Sequence, residues 1–205
     1  MQFRPVFVFV ATLAPATIAL LPSPASASGD ERNAYVVVKG GPYFPTQSDA
    51  LGTLKLEWSN RYAVDLGVGA YWEDFGLQLS AGYLTTRSND LELRGFPILM
   101  TGRARLPLGV VGPYLQAGVG VAFATASFDK IDPDAHSGTA VSFEAVAGFG
   151  ADVYLGPLIL GAELKYLWLK PHFVVTIGPE GSQDGYSADL QMSGITMQAY
   201  VGYRW

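Results

Sequence analysis

The chain has no cysteine, only two histidines in 205 residues, and few charges: Asp, Glu, Lys and Arg together make up 15%. Without disulfides, an exported protein must be held by packing and hydrogen bonding alone, which a closed β-barrel supplies. The lack of cysteine removes the thiolate zinc patterns, and neither a phosphate-binding glycine loop nor a dinucleotide fingerprint occurs. No segment after residue 27 offers the ~20 uninterrupted apolar residues a transmembrane helix requires. Glycines interrupt every such run, as in Leu115–Ala126. Basic residues number 13 against 18 acidic ones, a formal net charge of −5, which argues against a nucleic-acid partner.

What is present is apolar residues at 49% and 24 glycines. The first 27 residues read as an export signal: Arg4 supplies the charge, Val6–Leu21 the apolar run, and Ala25-Ser26-Ala27 the cleavage site. Residues 28–205 then form one domain. Its last stretch, Ile195–Trp205, places Ile195, Met197, Ala199, Val201 and Tyr203 at every second position. That period of two marks a strand with one apolar face. High apolarity without a helical span points to an all-β chain, a transmembrane antiparallel up-and-down barrel, because each strand is only half apolar. A water-soluble β-sandwich would leave the export signal and the aromatic strand ends unexplained.

The same alternation predicts about eight strands: Tyr35–Phe44, Tyr62–Trp72, Gly76–Thr86, Leu91–Leu106, Tyr114–Phe128, Thr139–Tyr154, Leu158–Phe173 and the terminal one. Gly40-Gly41-Pro42 suggests a bend in the first. Gly95 and Pro97 predict a bulge that reverses the facing of the first half of the fourth. Leu54, Leu56 and Trp58 alternate within the Thr46–Asn60 connection and could lengthen the second strand. Turns at Glu73, Pro107 and Gly156 are assigned to the periplasm. The Thr46–Asn60, Asp129–Gly138 and Gly178–Ser187 loops then face outward, with a very short Arg87–Asp90 connection. Trp72, Phe75, Tyr154, Tyr203 and Trp205 fall near the periplasmic rim, and Tyr83, Phe128, Trp168 and Phe173 near the outer one.

Lys39–Pro45 (KGGPYFP), Leu106–Tyr114 (LPLGVVGPY), Gly118–Val121, Gly161-Ala162-Glu163 and Gly202-Tyr203-Arg204-Trp205 are strand and turn patterns. In these the chain resembles the small eight-stranded bacterial outer-membrane barrels, such as the OmpA transmembrane domain and the OmpW-like proteins. The resemblance implies an outer-membrane location and contact with lipid and lipopolysaccharide. It also implies a monomer and an assembly-machinery signal at Gly202, Tyr203 and Trp205, with Trp in place of the usual Phe. The soluble domain of full-length OmpA has no counterpart here.

Inward positions carry Asp65, Arg103, Arg105, Glu144, Asp152, Glu163, Lys165 and Arg204. Barrels of this size enclose only side chains, and lone charges there are costly, so a salt-bridge network inside a plugged barrel is expected. The alternative is a gate in which Arg103 or Arg105 re-pairs with Glu144 or Glu163. Chemistry is sparse. Lipid-modifying barrels place Ser, His and an acid near the outer leaflet. Here His136 adjoins Ser137, so on a strand the two point to opposite faces. The His-x-Ser spacing of lipid A deacylases is not matched. Asp129, Asp132 and Asp134 lack EF-hand spacing. The expectation is therefore a non-enzymatic barrel, without cofactor or metal, acting as a structural element or as a narrow passage for small or hydrophobic solutes. Adhesion through the outer loops is the alternative, and lipid hydrolysis the third.

Overall fold

Among the described residues ten strands form, and their residues explain their pairing. They are β1 (Ala34–Pro45), β2 (Trp58–Trp72), β3 (Phe75–Ser88), β4 (Leu91–Arg105), β5 (Val111–Ser127), β6 (Gly138–Leu155), β7 (Leu158–Leu169), β8 (His172–Thr176), β9 (Gly185–Asp189) and β10 (Gly194–Arg204). In this computed structural model the described residues are 34–46, 58–88, 91–127, 138–176, 185–189 and 192–205. The expected export signal, Leu54, Leu56, Phe128, His136, Ser137 and the Asp129, Asp132, Asp134 cluster lie outside them.

Eight strands close into an antiparallel barrel in the order β1-β10-β7-β6-β5-β4-β3-β2, with β8 and β9 a separate two-stranded hairpin between β7 and β10. Strand one pairs with strand ten from Tyr35↔Arg204 to Pro45↔Gly194, which seals the cylinder. Even strand number returns both ends of the barrel to the rim of the short turns, the periplasmic arrangement. Facing follows the alternation. Leu66, Val68, Leu79, Met100, Val119 and Val201 point outward and are exposed, while Asp65, Gln78, Arg103, Gln116 and Gln198 are buried in the interior. No helix among the described residues is long and apolar enough to cross a membrane, and the strands supply the crossing.

Two local expectations are corrected. The fourth strand has no bulge: its register with β3 resumes unchanged from Ala81↔Ile98 to Leu84↔Gly95, and its pairing with β5 is unbroken. Pro97 lacks an N–H, so the ladder to β3 skips at that point without a slip. Leu93 and Leu99 both lie on the inner face and fill an apolar interior. The first strand likewise keeps one register with β10 from Gly40↔Ala199 to Tyr43↔Thr196, so the chain passes Gly40-Gly41-Pro42 without a slip. Among the β2–β5 ladders the irregularity lies in β2 between Ser59 and Tyr62. Finally, β7 stops at Leu169; Pro171 breaks it, and His172 and Phe173 belong to the hairpin.

The interior is layered. Toward the outer end, Leu84, Leu93, Leu99, Leu167, Leu169 and Met192 belong to an apolar cluster. Toward the periplasmic end, Tyr35, Tyr71, Tyr114, Tyr200 and Ile159 form another, with Tyr154 packed against it. Tyr154 was expected in the lipid-facing girdle. It instead points inward, because Asp152 and Tyr154 share the parity of Glu144 on β6. Trp72, Phe75, Tyr203 and Trp205 are exposed as expected.

Glycine makes this filling possible where strands approach closely. A Cβ at Gly120 would overlap the backbone carbonyl of Ile98, whereas at Gly102 the nearest heavy atom would be 3.8 Å away. Gly120→Ala should therefore lower the urea midpoint of the micelle-bound barrel by the equivalent of about 1–3 kcal/mol, the usual range for overpacking. Gly102→Ala should leave it unchanged. Equal behaviour of the two variants on a heat-shift gel and in urea would refute the crowding argument.

Candidate functional site

Between the two packed layers lies an ionic centre built on Glu163. Lys39 Nζ donates to Glu163 Oε2 at 2.7 Å, Arg103 Nη2 to the same oxygen at 3.2 Å, and Tyr114 Oη to it at 2.9 Å. Lys165 Nζ lies 3.4 Å from Glu163 Oε1 and donates to Asp65 Oδ2 at 2.7 Å. The Lys39, Arg103 and Glu163 side chains are at most 1% exposed. One carboxylate thus faces three cations, and Asp65 completes the compensation. Pairing and charge-assisted hydrogen bonds are what allow such charges to exist away from water.

Asp152 is the second acidic centre, and its partners are hydroxyls. Tyr200 Oη donates to Asp152 Oδ1, while Tyr154 and Tyr71 donate to Oδ2 at 2.8 and 3.4 Å. Tyr114 and Tyr200 share a hydrogen bond at 3.1 Å, joining the two centres. Arg103 lies over the Tyr114 ring at 4.4 Å and Arg105 over Tyr71 at 4.4 Å.

Of the eight expected interior charges, the structure brings Asp65, Arg103, Glu163 and Lys165 into one network. The rest depart from simple pairing. Arg105 donates to the Tyr154 hydroxyl and to the Glu73 carbonyl, because it sits at the rim where a turn carbonyl is in reach. Arg204 donates to the Gly156 carbonyl for the same reason. Glu144 is fully buried among Leu84, Leu99 and Leu167, and neither carboxylate oxygen accepts a hydrogen bond from a described residue. It belongs to the outer apolar layer, away from Arg103. Lys39 was missed because the run Tyr35-Val36-Val37-Val38 hides the alternation of β1; only the parity with Tyr35 and Val37 could have revealed it. Among the described residues, one interior cavity lined by Asp65, Glu144, Lys165 and Thr196 and another lined by Tyr35, Tyr71, Arg105 and Tyr154 each hold about 10 Å3, roughly one water. The interior is a filled core.

Open space lies on the outside. A groove of about 340 Å3 runs over β6, β7 and β10, lined by Ala147, Phe149, Leu164, Tyr166, Trp168 and Ile195. Small side chains at Ala147 and Gly148 leave the depression, and Tyr166 and Trp168 meet edge to face at 4.5 Å. Four residues beyond Trp168, the exposed His172 starts the hairpin, and β8 lies against β6. The hairpin register sets His172 opposite Asp189 and Val174 opposite Ser187. These are all features of the outer end, where a lipid headgroup region begins.

A family described as lipid A 3-O-deacylase (PagL) matches residues 50–167. No curated protein shares detectable sequence similarity with the chain. Among solved structures, Neisserial surface protein A is similar at 16% identity and a TM-score of 0.56, covering 84% of this chain and 97% of its own. The N-terminal β-barrel domain of Pseudomonas aeruginosa OprF is 16% identical with a TM-score of 0.50, over 86% of this chain and 100% of that one. The attachment invasion locus protein Ail of Yersinia pestis gives 16% and 0.50, over 85% and 100%. These likenesses establish the fold of a small outer-membrane barrel. The family match overturns the expectation of a non-enzymatic barrel, since the matched family is one of enzymes. That expectation rested on the missing His-x-Ser spacing, and residues that meet across strands need no fixed spacing along the chain.

If Glu163 is the centre that holds the interior, Glu163→Gln leaves three cations with one fewer counter-charge. The barrel should lose about 3–5 kcal/mol, the usual effect of breaking a buried ion pair. Asp152→Asn, whose partners are neutral hydroxyls, should lose nearer 1 kcal/mol. Urea unfolding in micelles reads both, and a Glu163 variant no weaker than the Asp152 variant would refute the assignment.

Proposed function

Because the matched segment covers more than half of it, the chain belongs to the lipid A 3-O-deacylase (PagL) family, and we propose that it hydrolyses an ester-linked acyl chain of lipopolysaccharide in the outer leaflet. The family match carries this reading. The apolar groove over β6, β7 and β10 supports it, since its lining suits an acyl chain and its Trp168 stands four residues before the exposed His172. In this reading His172 is the general base and, from the backbone register alone, which sets His172 opposite Asp189 and Val174 opposite Ser187, Ser187 is the nucleophile and Asp189 the orienting acid; all three follow the matched segment 50–167. The imidazole takes the hydroxyl proton as the serine oxygen attacks the ester carbonyl. The sugar hydroxyl leaves with that proton, and water then releases the fatty acid and restores the serine.

A passage for solutes is less well supported, because the buried ionic centre and the apolar layer above it fill the interior. The barrel serves as a rigid support, and its proposed partners are outer-membrane lipid and lipopolysaccharide. Gly202, Tyr203 and Trp205 are proposed as the signal read by the assembly machinery; Tyr203 and Trp205 are exposed and stacked at 6.4 Å between ring centroids.

Two measurements test this. Mass spectrometry of lipopolysaccharide incubated with the refolded protein should show loss of one acyl chain, and His172→Ala or Ser187→Ala should slow that loss by about 100-fold or more. Full activity in both variants would remove the proposed residues, and no cleavage by the folded wild type would remove the proposed activity. In planar bilayers the folded protein should be silent; discrete conductance abolished by changing Arg103 would restore the conduit.

A further inference from the structure

The outer rim opposite the hydrolytic groove has a feature that neither the interior network nor that groove uses. On β2, β3 and β4, Arg61, Tyr62, Thr85, Arg87 and Glu92 line a surface pocket of about 360 Å3. The irregularity in β2 between Ser59 and Tyr62 lies beside Arg61. A β-bulge re-aims side chains at a barrel rim. The connection after β3 is very short, so β3 and β4 bring Arg87 opposite Glu92 and Thr85 opposite Arg94. Glu92 is held by Arg94, whose Nε donates to Glu92 Oε1 at 2.8 Å. Among the described residues the corner therefore gathers Arg61, Arg87 and Arg94 around the carboxylate of Glu92, in a chain whose formal net charge is −5.

Immediately below this corner the wall is aromatic. Tyr62 and Tyr83 lie 6.1 Å apart by ring centroids, and Tyr83 and Phe96 5.0 Å apart. Tyr62 and Phe96 are exposed on the lipid-facing side. Aromatic rings of this kind sit at the boundary between acyl chains and headgroups. Thr85 shares their outward parity yet is only 6% exposed, covered by its neighbours at the pocket floor. Cations stand just above the acyl boundary and rings just below it. A phosphorylated glycolipid presents the complementary pattern, anionic headgroup above and acyl chains beneath.

From this juxtaposition we infer that the β2–β4 rim binds a headgroup phosphate of lipopolysaccharide, with Arg61 and Arg87 as the phosphate ligands and Tyr62, Tyr83 and Phe96 as the wall against which the acyl chains lie. Guanidinium groups suit this task because their fork of N–H donors matches phosphate oxygens. The site rests on the lipid-hydrolase reading only for its consequence on turnover. Binding itself does not depend on it. A lipid held here would be retained beside the barrel that cleaves it.

The test uses the full barrel in phosphatidylcholine nanodiscs and measures retained lipid A by native mass spectrometry, with bis-phosphorylated and dephosphorylated lipid A as probes. The wild type should retain the phosphorylated form selectively. Arg87→Gln should weaken retention by about tenfold, and Arg87→Glu further, as expected for loss of a charge-assisted contact. Arg87 is an exposed strand-end residue, so both variants should keep the heat-shift of the folded barrel. Glu92→Gln, which removes the acid among the pocket's described lining residues, should strengthen retention. Equal retention of the two lipids, or retention unaffected by either Arg87 variant, would overturn the site. Selective retention by a protein that cleaves no lipid would uphold this site and reject the hydrolase. Cleavage with unselective retention would do the reverse.

Discussion

The carboxylate of Glu163 is the interaction on which the rest of this barrel depends. An eight-stranded cylinder has room inside for side chains and almost nothing else. This one places Lys39, Arg103 and Lys165 in that space. Three cations away from water are tolerable only around a shared acid, and Glu163 accepts from two of them and from Tyr114 while the third lies 3.4 Å away. Inward glycines are the other half of the arrangement. Gly150 and Gly161 stand where the rings of Tyr114 and Tyr200 must pass, so the tyrosines can reach across to the acids. Charge, hydroxyl and glycine positions are one solution to one spatial problem.

Filling the interior in this way moves the chemistry outside. The ionic centre is closed above by Leu84, Leu93, Leu99 and Leu169 and below by tyrosines, so no open aqueous path passes through the described residues. Reactive and binding groups then have two places left, the lipid-facing wall and the outer rim. Both the acyl-sized groove over β6, β7 and β10 and the arginine-lined pocket over β2–β4 lie there. A rigid cylinder holds them at fixed height relative to the bilayer, which is what an enzyme acting on a membrane lipid needs from its scaffold.

Much of the wall was legible in the residues. Strands such as Tyr62–Trp72 and Ile195–Arg204 alternate so regularly that their facing follows from counting, and the structure agrees residue by residue. Failures came where a second apolar set exists. In β4, Gly95 and Pro97 suggested a bulge, but the register with β5 runs through both, and an apolar inner layer accepts Leu93 and Leu99 without reversing the strand. In β1, four consecutive apolar residues concealed the parity that buries Lys39. Tyr154 was misplaced for a related reason: an aromatic near a rim fits either a girdle or an interior stack, and its hydrogen bond to Asp152 decides between them.

Period-two alternation, glycine content and the missing helical span determined by themselves that this chain is built of half-apolar strands, because facing in a strand is a property of consecutive residues. Which charges meet was decided only by closure. Lys39 and Glu163 are 124 positions apart, and they touch because β1 and β7 both pair with β10. The same holds for the outer rim, where Arg61 comes to a common pocket with Arg87 and Glu92 through strand pairing. Sequence spacing says nothing about distance around a barrel, since that distance is set by strand order, shear and the register of each pair.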